Sequence, residues 1–238
     1  VCSSDLTETF MVRAKGIQMY RYKDIIVSED HRVCFRNNTY TLVRHLPGAV
    51  RLQQFDDQFI YCLNTTTKFI PINGILFVDW DDLDDKEYRY LQKQFYRETK
   101  HSIMRENIHR MMSSGFTEDT PIELENGKEV PIENIYIGDV LKGGHKVFAK
   151  VHIYDKDMDI IENELYGKLF HTTPNTMIKT ESKLYRMNSL KTSRYVERFD
   201  REIYHLVTYS GEFLVHNIPF SDYNSCTEYY LPTNFEEL

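Results

Sequence analysis

The sequence predicts a mostly β protein with a helical connector, built as tandem modules of which the first is truncated. Three observations carry this. Short runs of alternating apolar and polar residues recur between Gly, Pro and Asn punctuation, the pattern of half-buried strands joined by tight turns. One stretch, Asp82 to Met112, has neither Gly nor Pro and repeats apolar residues at near-helical intervals. Two distant segments, beginning at Tyr61 and Tyr204, align without a gap and share Leu63/Leu206, Thr65/Thr208, Phe77/Phe220 and Asp79/Asp222.

In chain order, Val1–Leu6 matches what one frame of a sequencing-library adapter would encode, which marks residues 1–6 as an artefact on a metagenomic gene fragment. Residues 7–82 form the first module. Within it Val12–Lys15 is set against Val147–Lys150, and Ile25–Ser28 against Leu169–Thr172. Residues 83–113 are the connector, where Tyr88, Leu91, Phe95, Ile103, Ile108 and Met111 give one or two helices and Asp81, Asp82, Asp84 and Asp85 favour the exposed N–H groups at the start. The second module spans 114–226. It opens on a strand, an Asn126-Gly127 turn and a second strand, continues through Gly138 and Gly143-Gly144, and enters an alternating strand from Lys146 to Tyr154. Residues 227–238 are a tail. The first module has no counterpart of 115–146.

Composition sets limits on function. With 41% hydrophobic and 27% charged residues the chain can bury a core. The most apolar window, Phe69–Val78, is interrupted by Pro71, Asn73 and Gly74 and is far shorter than the roughly 18 residues of a membrane span. A net charge of -7 opposes a phosphate backbone, and the basic, aromatic stretch 86–110 contains Glu87, Glu98 and Glu106, as a solvated helix face does. Neither nucleic acid nor membrane is expected as a partner; protein partners or further domains of a parent polypeptide fit better. Cys2, Cys34, Cys62 and Cys226 form no CxxC, so a reducing compartment or a virion fits better than secretion. No metal is expected, because His101 and His109 lie two helical turns apart with no completing ligands, and no cofactor is expected because no Gly-Lys-Ser/Thr follows the glycine turns.

Gly115-Phe-Thr-Glu-Asp-Thr-Pro-Ile-Glu-Leu, then Pro131 to Leu141 with Gly138-Asp139, then Tyr204 to Ser225 together resemble the Hint module of inteins and hedgehog autoprocessing domains, most nearly the Hint-type repeats of large DNA virus proteins. In the first module Asn73-Gly74-Ile75 carries the same likeness. The resemblance implies a site in which a thiol or hydroxyl attacks the preceding carbonyl, a Thr-x-x-His segment assists the departing amine, and a terminal Asn cyclises.

On that pattern the second module holds vestigial positions: Gly115 for the nucleophile, Thr172 and Asn175 for the Thr-x-x-His segment, and Tyr223, Asn224 and Ser225 at the closing end. Glycine cannot attack, and an amide cannot transfer a proton near neutral pH. Ser28 and His31 in the first module fit the assisting segment, with no nucleophile in sight. The expected function is a degenerate, non-splicing tandem Hint scaffold of a larger viral-type protein. The alternative is an autoprocessing protein that uses His31 with a nucleophile upstream of residue 1.

Overall fold

The computed structural model describes residues 6–35, 39–80, 83–105, 108–154, 158–181, 183–196 and 201–230. Strands dominate. The first series is β1 (Leu6–Arg13), β2 (Met19–Tyr22), β3 (Ile25–Ser28), β4 (Arg32–Cys34), β5 (Tyr40–Leu42), β6 (Val50–Arg51), β7 (Phe59–Thr65), β8 (Phe69–Ile72) and β9 (Ile75–Val78). Helices α1 (Asp85–Thr99) and α2 (Ile108–Met112) follow. A four-strand insert comes next: β10 (Phe116–Thr117), β11 (Pro121–Glu123), β12 (Glu129–Pro131) and β13 (Val140–Leu141). The second series is β14 (His145–Ile153), β15 (Ile161–Leu165), β16 (Lys168–Thr172), β17 (Met177–Lys179), β18 (Leu184–Arg186), β19 (Arg194–Tyr195), β20 (Ile203–Thr208), β21 (Glu212–Val215) and β22 (Ile218–Ser221), closed by α3 (Tyr223–Glu228).

The two series pair by the same plan, all antiparallel. β1 pairs β7 as β14 pairs β20; β2 pairs β3 and β6 as β15 pairs β16 and β19. β4 pairs β5 and β9, and β8 pairs β9, as β17 pairs β18 and β22, and β21 pairs β22. The turns agree too: Asn73-Gly74 and His216-Asn217 both hold two successive positive φ angles, the type I′ geometry that matches strand twist. What differs is the insert. β10 sits between β16 and β20 and joins them into one sheet, whereas β3 and β7 end separate sheets.

Pairing corrects two sequence alignments. Leu6 faces Thr65 and Val147 faces Thr208, each followed by the same bulge, so Val147 matches Leu6, not Val12. The error of six residues is even, and period-2 alternation is blind to an even slip. Leu6 opens β1; residues 1–5 lie outside the described residues, as do Asp81 and Asp82. In the β15–β16 hairpin the turn is Tyr166-Gly167, both with positive φ, so Lys168 and not Leu169 matches Ile25. The tail expected from 227 begins instead with the last residues of α3 and with Tyr230, 1% exposed in the core.

The helices form because their ends are satisfied and one face is apolar. The Asp84 side chain accepts from Lys86 N and Glu87 N at 2.8 and 2.9 Å while Glu87 Oε2 accepts from Asp84 N at 2.6 Å, a capping box. Leu91 and Phe95 of α1, Ile108 and Met112 of α2, and Cys226 and Tyr230 pack into one cluster. Among the described residues no helix is long and apolar enough to cross a membrane.

Candidate functional site

The bond between Ser114 and Gly115 is enclosed on every side. α2 delivers Ser113 and Ser114, β10 leaves between β16 and β20, and the turn joining β16 to β17 lies over the junction. Ser113, Ser114, Thr173 and Thr176 are all buried. Gly115 N–H donates to Thr176 Oγ1 at 3.0 Å, and that hydroxyl donates to Gly115 O, also at 3.0 Å. Thr173 donates its hydroxyl to Ser113 O at 2.9 Å and its main-chain N–H to Gly115 O at 3.0 Å. The main chain here is held by hydroxyls, which satisfy buried peptide groups without carrying acid or base chemistry at neutral pH.

Gly115 offers no nucleophile, and the site has no space for one. A Cβ at this position would stand 2.4 Å from Ile203 Cγ2 and 3.2 Å from both Ile153 Cδ1 and Tyr204 O.

Thr172 and Asn175 are displaced by one position from the roles the sequence assigns them. Thr172 lies inside β16, opposite Phe116 and Ile161. Asn175 turns away from Gly115: its amide donates to Met111 O and its carbonyl accepts from Arg186 Nη1 at 3.3 Å. Main-chain bonds fix the true correspondence. His31 N donates to Ser28 O, and Thr176 N to Thr173 O, each at 3.2 Å; Val43 N donates to His31 O, and Met187 N to Thr176 O, each at 2.8 Å. Thr173 thus matches Ser28, and Thr176 matches His31. The adjacent pair Thr172-Thr173 makes the motif readable in two registers, and only the hairpin turn chooses between them.

At the closing end Asp222 caps α3 by accepting from Ser225 N at 2.9 Å, and the same side chain accepts from Thr208 N at 2.8 Å. Tyr223, Asn224 and Ser225 are helical. Helical side chains lean toward the N-terminus while the carbonyls point the other way, so Asn224 is turned from the carbonyl it would have to attack. Cys226 is fully buried and its thiol is pushed up to about 12 by burial, which keeps it protonated.

Sequence reasoning missed a buried polar cluster behind this junction. Glu8 of β1 is 0% exposed and accepts from Asn64 Nδ2 at 2.6 Å, Ser113 Oγ at 2.5 Å and Tyr223 OH at 2.7 Å. Beside it His205 is packed edge-on against Phe116, Phe213 and Tyr223, its Nδ1 accepting from Leu206 N at 2.9 Å. Burial lowers the His205 pKa to about 4, against the opposing field of Glu8. The signal for Glu8 was available: it shares the strand face of Phe10 and Val12.

In the first series His31 Nε2 is 2.7 Å from Val78 O, a contact that requires Nε2 to carry the proton, and burial holds the imidazole pKa below its ordinary value. Ser28 and His31 line a cavity of about 530 Å³ together with Phe77 and Trp80. Among the described residues no three His, Cys, Asp or Glu side chains converge as metal ligands.

No family model and no curated protein matches this sequence. Among solved structures, an intein-like domain from Clostridium thermocellum is 14% identical, with a TM-score of 0.39 over 45% of this chain and 97% of that one. The gp41-1 intein is 16% identical with a TM-score of 0.37, over 46% and 98% of the two chains. A DnaB intein from Synechocystis sp. PCC 6803 is 15% identical with a TM-score of 0.32, over 46% and 99%. The likeness in each case is to a β-rich, intein-like module.

Proposed function

We propose that this chain is a non-splicing tandem Hint scaffold, a duplicated module that has kept its fold and lost its chemistry, and that it acts as part of a larger viral-type protein. The observation that carries this reading is the Ser114–Gly115 junction. The nucleophile position is glycine with Ile203 in the space a side chain would need, and the position matched by His31 holds Thr176. Acyl transfer needs a nucleophile, a proton donor to the leaving amine and oxyanion donors acting as a unit, and loss of one member removes most of the rate. Mass spectrometry of the purified chain after prolonged incubation with a strong thiol tests it. An intact mass is expected; a fragment ending at Ser114 or at Asn224 would defeat the reading. The autoprocessing alternative rests on His31, whose Nε2–H is held by Val78 O and whose Nδ1 is left as the basic nitrogen. It requires a nucleophile supplied from outside these 238 residues, and cleavage at the first module in a longer natural polypeptide would favour it.

A further inference from the structure

Helix α1 gathers its cations on the face it does not bury. Lys86, Arg89, Lys93 and Arg97 step by three, four and four residues, so at about 100° per residue they fall within about 40° of the direction of Lys93, opposite the buried Leu91 and Phe95. Lys100, the left-handed C-cap, continues the row. All five are exposed, and Tyr96 stands beside them at 54% exposure. The three carboxylates of the helix are engaged elsewhere: Glu87 closes the capping box and lies 3.3 Å from Arg32 Nη1, Asp85 is 2.9 Å from Arg105 Nη2, and Glu98 is hydrogen-bonded by Tyr229. Among the described residues none of the five cations has a carboxylate partner. Glu87 and Glu98, which interrupt the cations along the sequence, thus leave the row in the folded helix; Glu106 lies outside the described residues.

We propose that this face of α1 binds the phosphodiester backbone of a single-stranded nucleic acid, with Tyr96 stacking on a base. Cations one helical turn apart, about 5.4 Å, form a straight row that a flexible strand can follow phosphate by phosphate. A duplex keeps its bases stacked on one another and out of reach of Tyr96, whereas a single strand offers their faces. The row holds no apolar side chain to insert into a lipid surface, and the carboxylates of an acidic peptide would leave Tyr96 unused. The net charge of -7 is spread over the whole chain and is screened beyond about 8 Å at physiological salt, so at the face itself the row sets the sign of the field. This binding needs no self-processing chemistry and stands whether or not the modules cleave.

The test is fluorescence anisotropy with the full chain and a labelled oligothymidylate of about 20 nucleotides. Saturable binding is expected, and four or five phosphate contacts should weaken it roughly fifty- to hundredfold between about 50 and 200 mM salt. Lys93→Glu with Arg97→Glu should cost at least tenfold and flatten that salt dependence; Lys93→Gln with Arg97→Gln repeats the measurement should the charge reversal unfold the helix. Tyr96→Ala should cost at least fivefold while leaving the salt dependence unchanged, because it removes stacking and no charge. Lys128→Glu with Lys168→Glu makes the same change in net charge at exposed positions outside α1 and should leave binding within about twofold of the unmodified chain. No saturable binding at about 50 mM salt would overturn the proposal, as would an equal loss in the Lys128 and Lys168 variant. So would equal affinity for a duplex of the same length or for anionic lipid vesicles, or displacement of the oligonucleotide by polyglutamate at equal charge concentration, since each would show a face that reads negative charge without reading a single strand.

Discussion

A side chain at position 115 has to displace Ile203 before it can react. Gly115→Cys alone should cost about 1–3 kcal/mol by overpacking, read as a lower denaturation midpoint, and should give no cleavage. Adding Ile203→Ala should recover part of that loss, and any thiol-dependent cleavage should further require Thr176→His, whereas Asn175→His should contribute nothing because Asn175 faces Met111 and Arg186. His205 makes a different prediction. Its pKa is lowered to about 4 in the folded chain, so the unfolded chain binds the proton more readily and stability falls as pH drops from the ordinary histidine value through 4. The groups packed on it are Phe116, Phe213 and Tyr223, and Glu8 is the charged neighbour. The loss should total about 3 kcal/mol, and urea melts of a His205→Gln variant should show a shallower acid slope. An equal slope would mean that another group governs acid unfolding. The sequence motifs single out Gly115 and His31, but Glu8 and His205 come together only through a strand pairing between residues far apart in the chain.

At the scale of elements, local chemistry was readable where it is written in neighbouring residues. Asp84 and Glu87 stand at capping-box spacing near the start of the Gly- and Pro-free run, and α1 begins there. Asp84→Ala should lower stability by about 1 kcal/mol, seen as a lower thermal midpoint with the β-sheet signal unchanged. Asn126-Gly127 likewise marks the β11–β12 hairpin, and Gly127 does adopt a φ of 81°. Register across the sheet was not readable in the same way. Alternation tells which face a residue takes but not which partner it meets, so β1 and β14 slipped by six residues and the β16–β17 turn by one. That single-residue slip is what moved the site assignment from Thr176 to Asn175.

At the scale of the whole molecule, β1 and β14 pair so that Phe10 faces Val151, and these two residues are also each other's equivalents in the two series. The halves therefore meet about a pseudo-two-fold axis, as two subunits meet in an isologous dimer, with β14 and β1 side by side in the order β20-β14-β1-β7 that ends the large sheet. Phe10 adds the cross-link, stacked on Trp80 at 4.5 Å and edge-on to Tyr223 at 5.3 Å. Stability should follow this arrangement and not the boundary between the halves. β1 and β7 lie in the shared sheet with Glu8 and Phe10 buried beneath them, so their amides should open as rarely as those of β14 and β20. The β2–β3–β6 and β4–β5–β8–β9 sheets pack around the smaller cluster of Val33, Val43, Leu46, Ile75 and Phe77 and lack the cover that Ile122, Ile132, Ile135 and Leu141 give the second series. Hydrogen exchange on the intact chain should thus divide the first series, with β1 and β7 exchanging at the slow rate of the second series and β3, β8 and β9 exchanging faster. Uniform protection across residues 6–78 would show that the uncovered face costs the fold nothing; uniformly fast exchange there, β1 included, would show that the pseudo-symmetric pairing does not couple the halves.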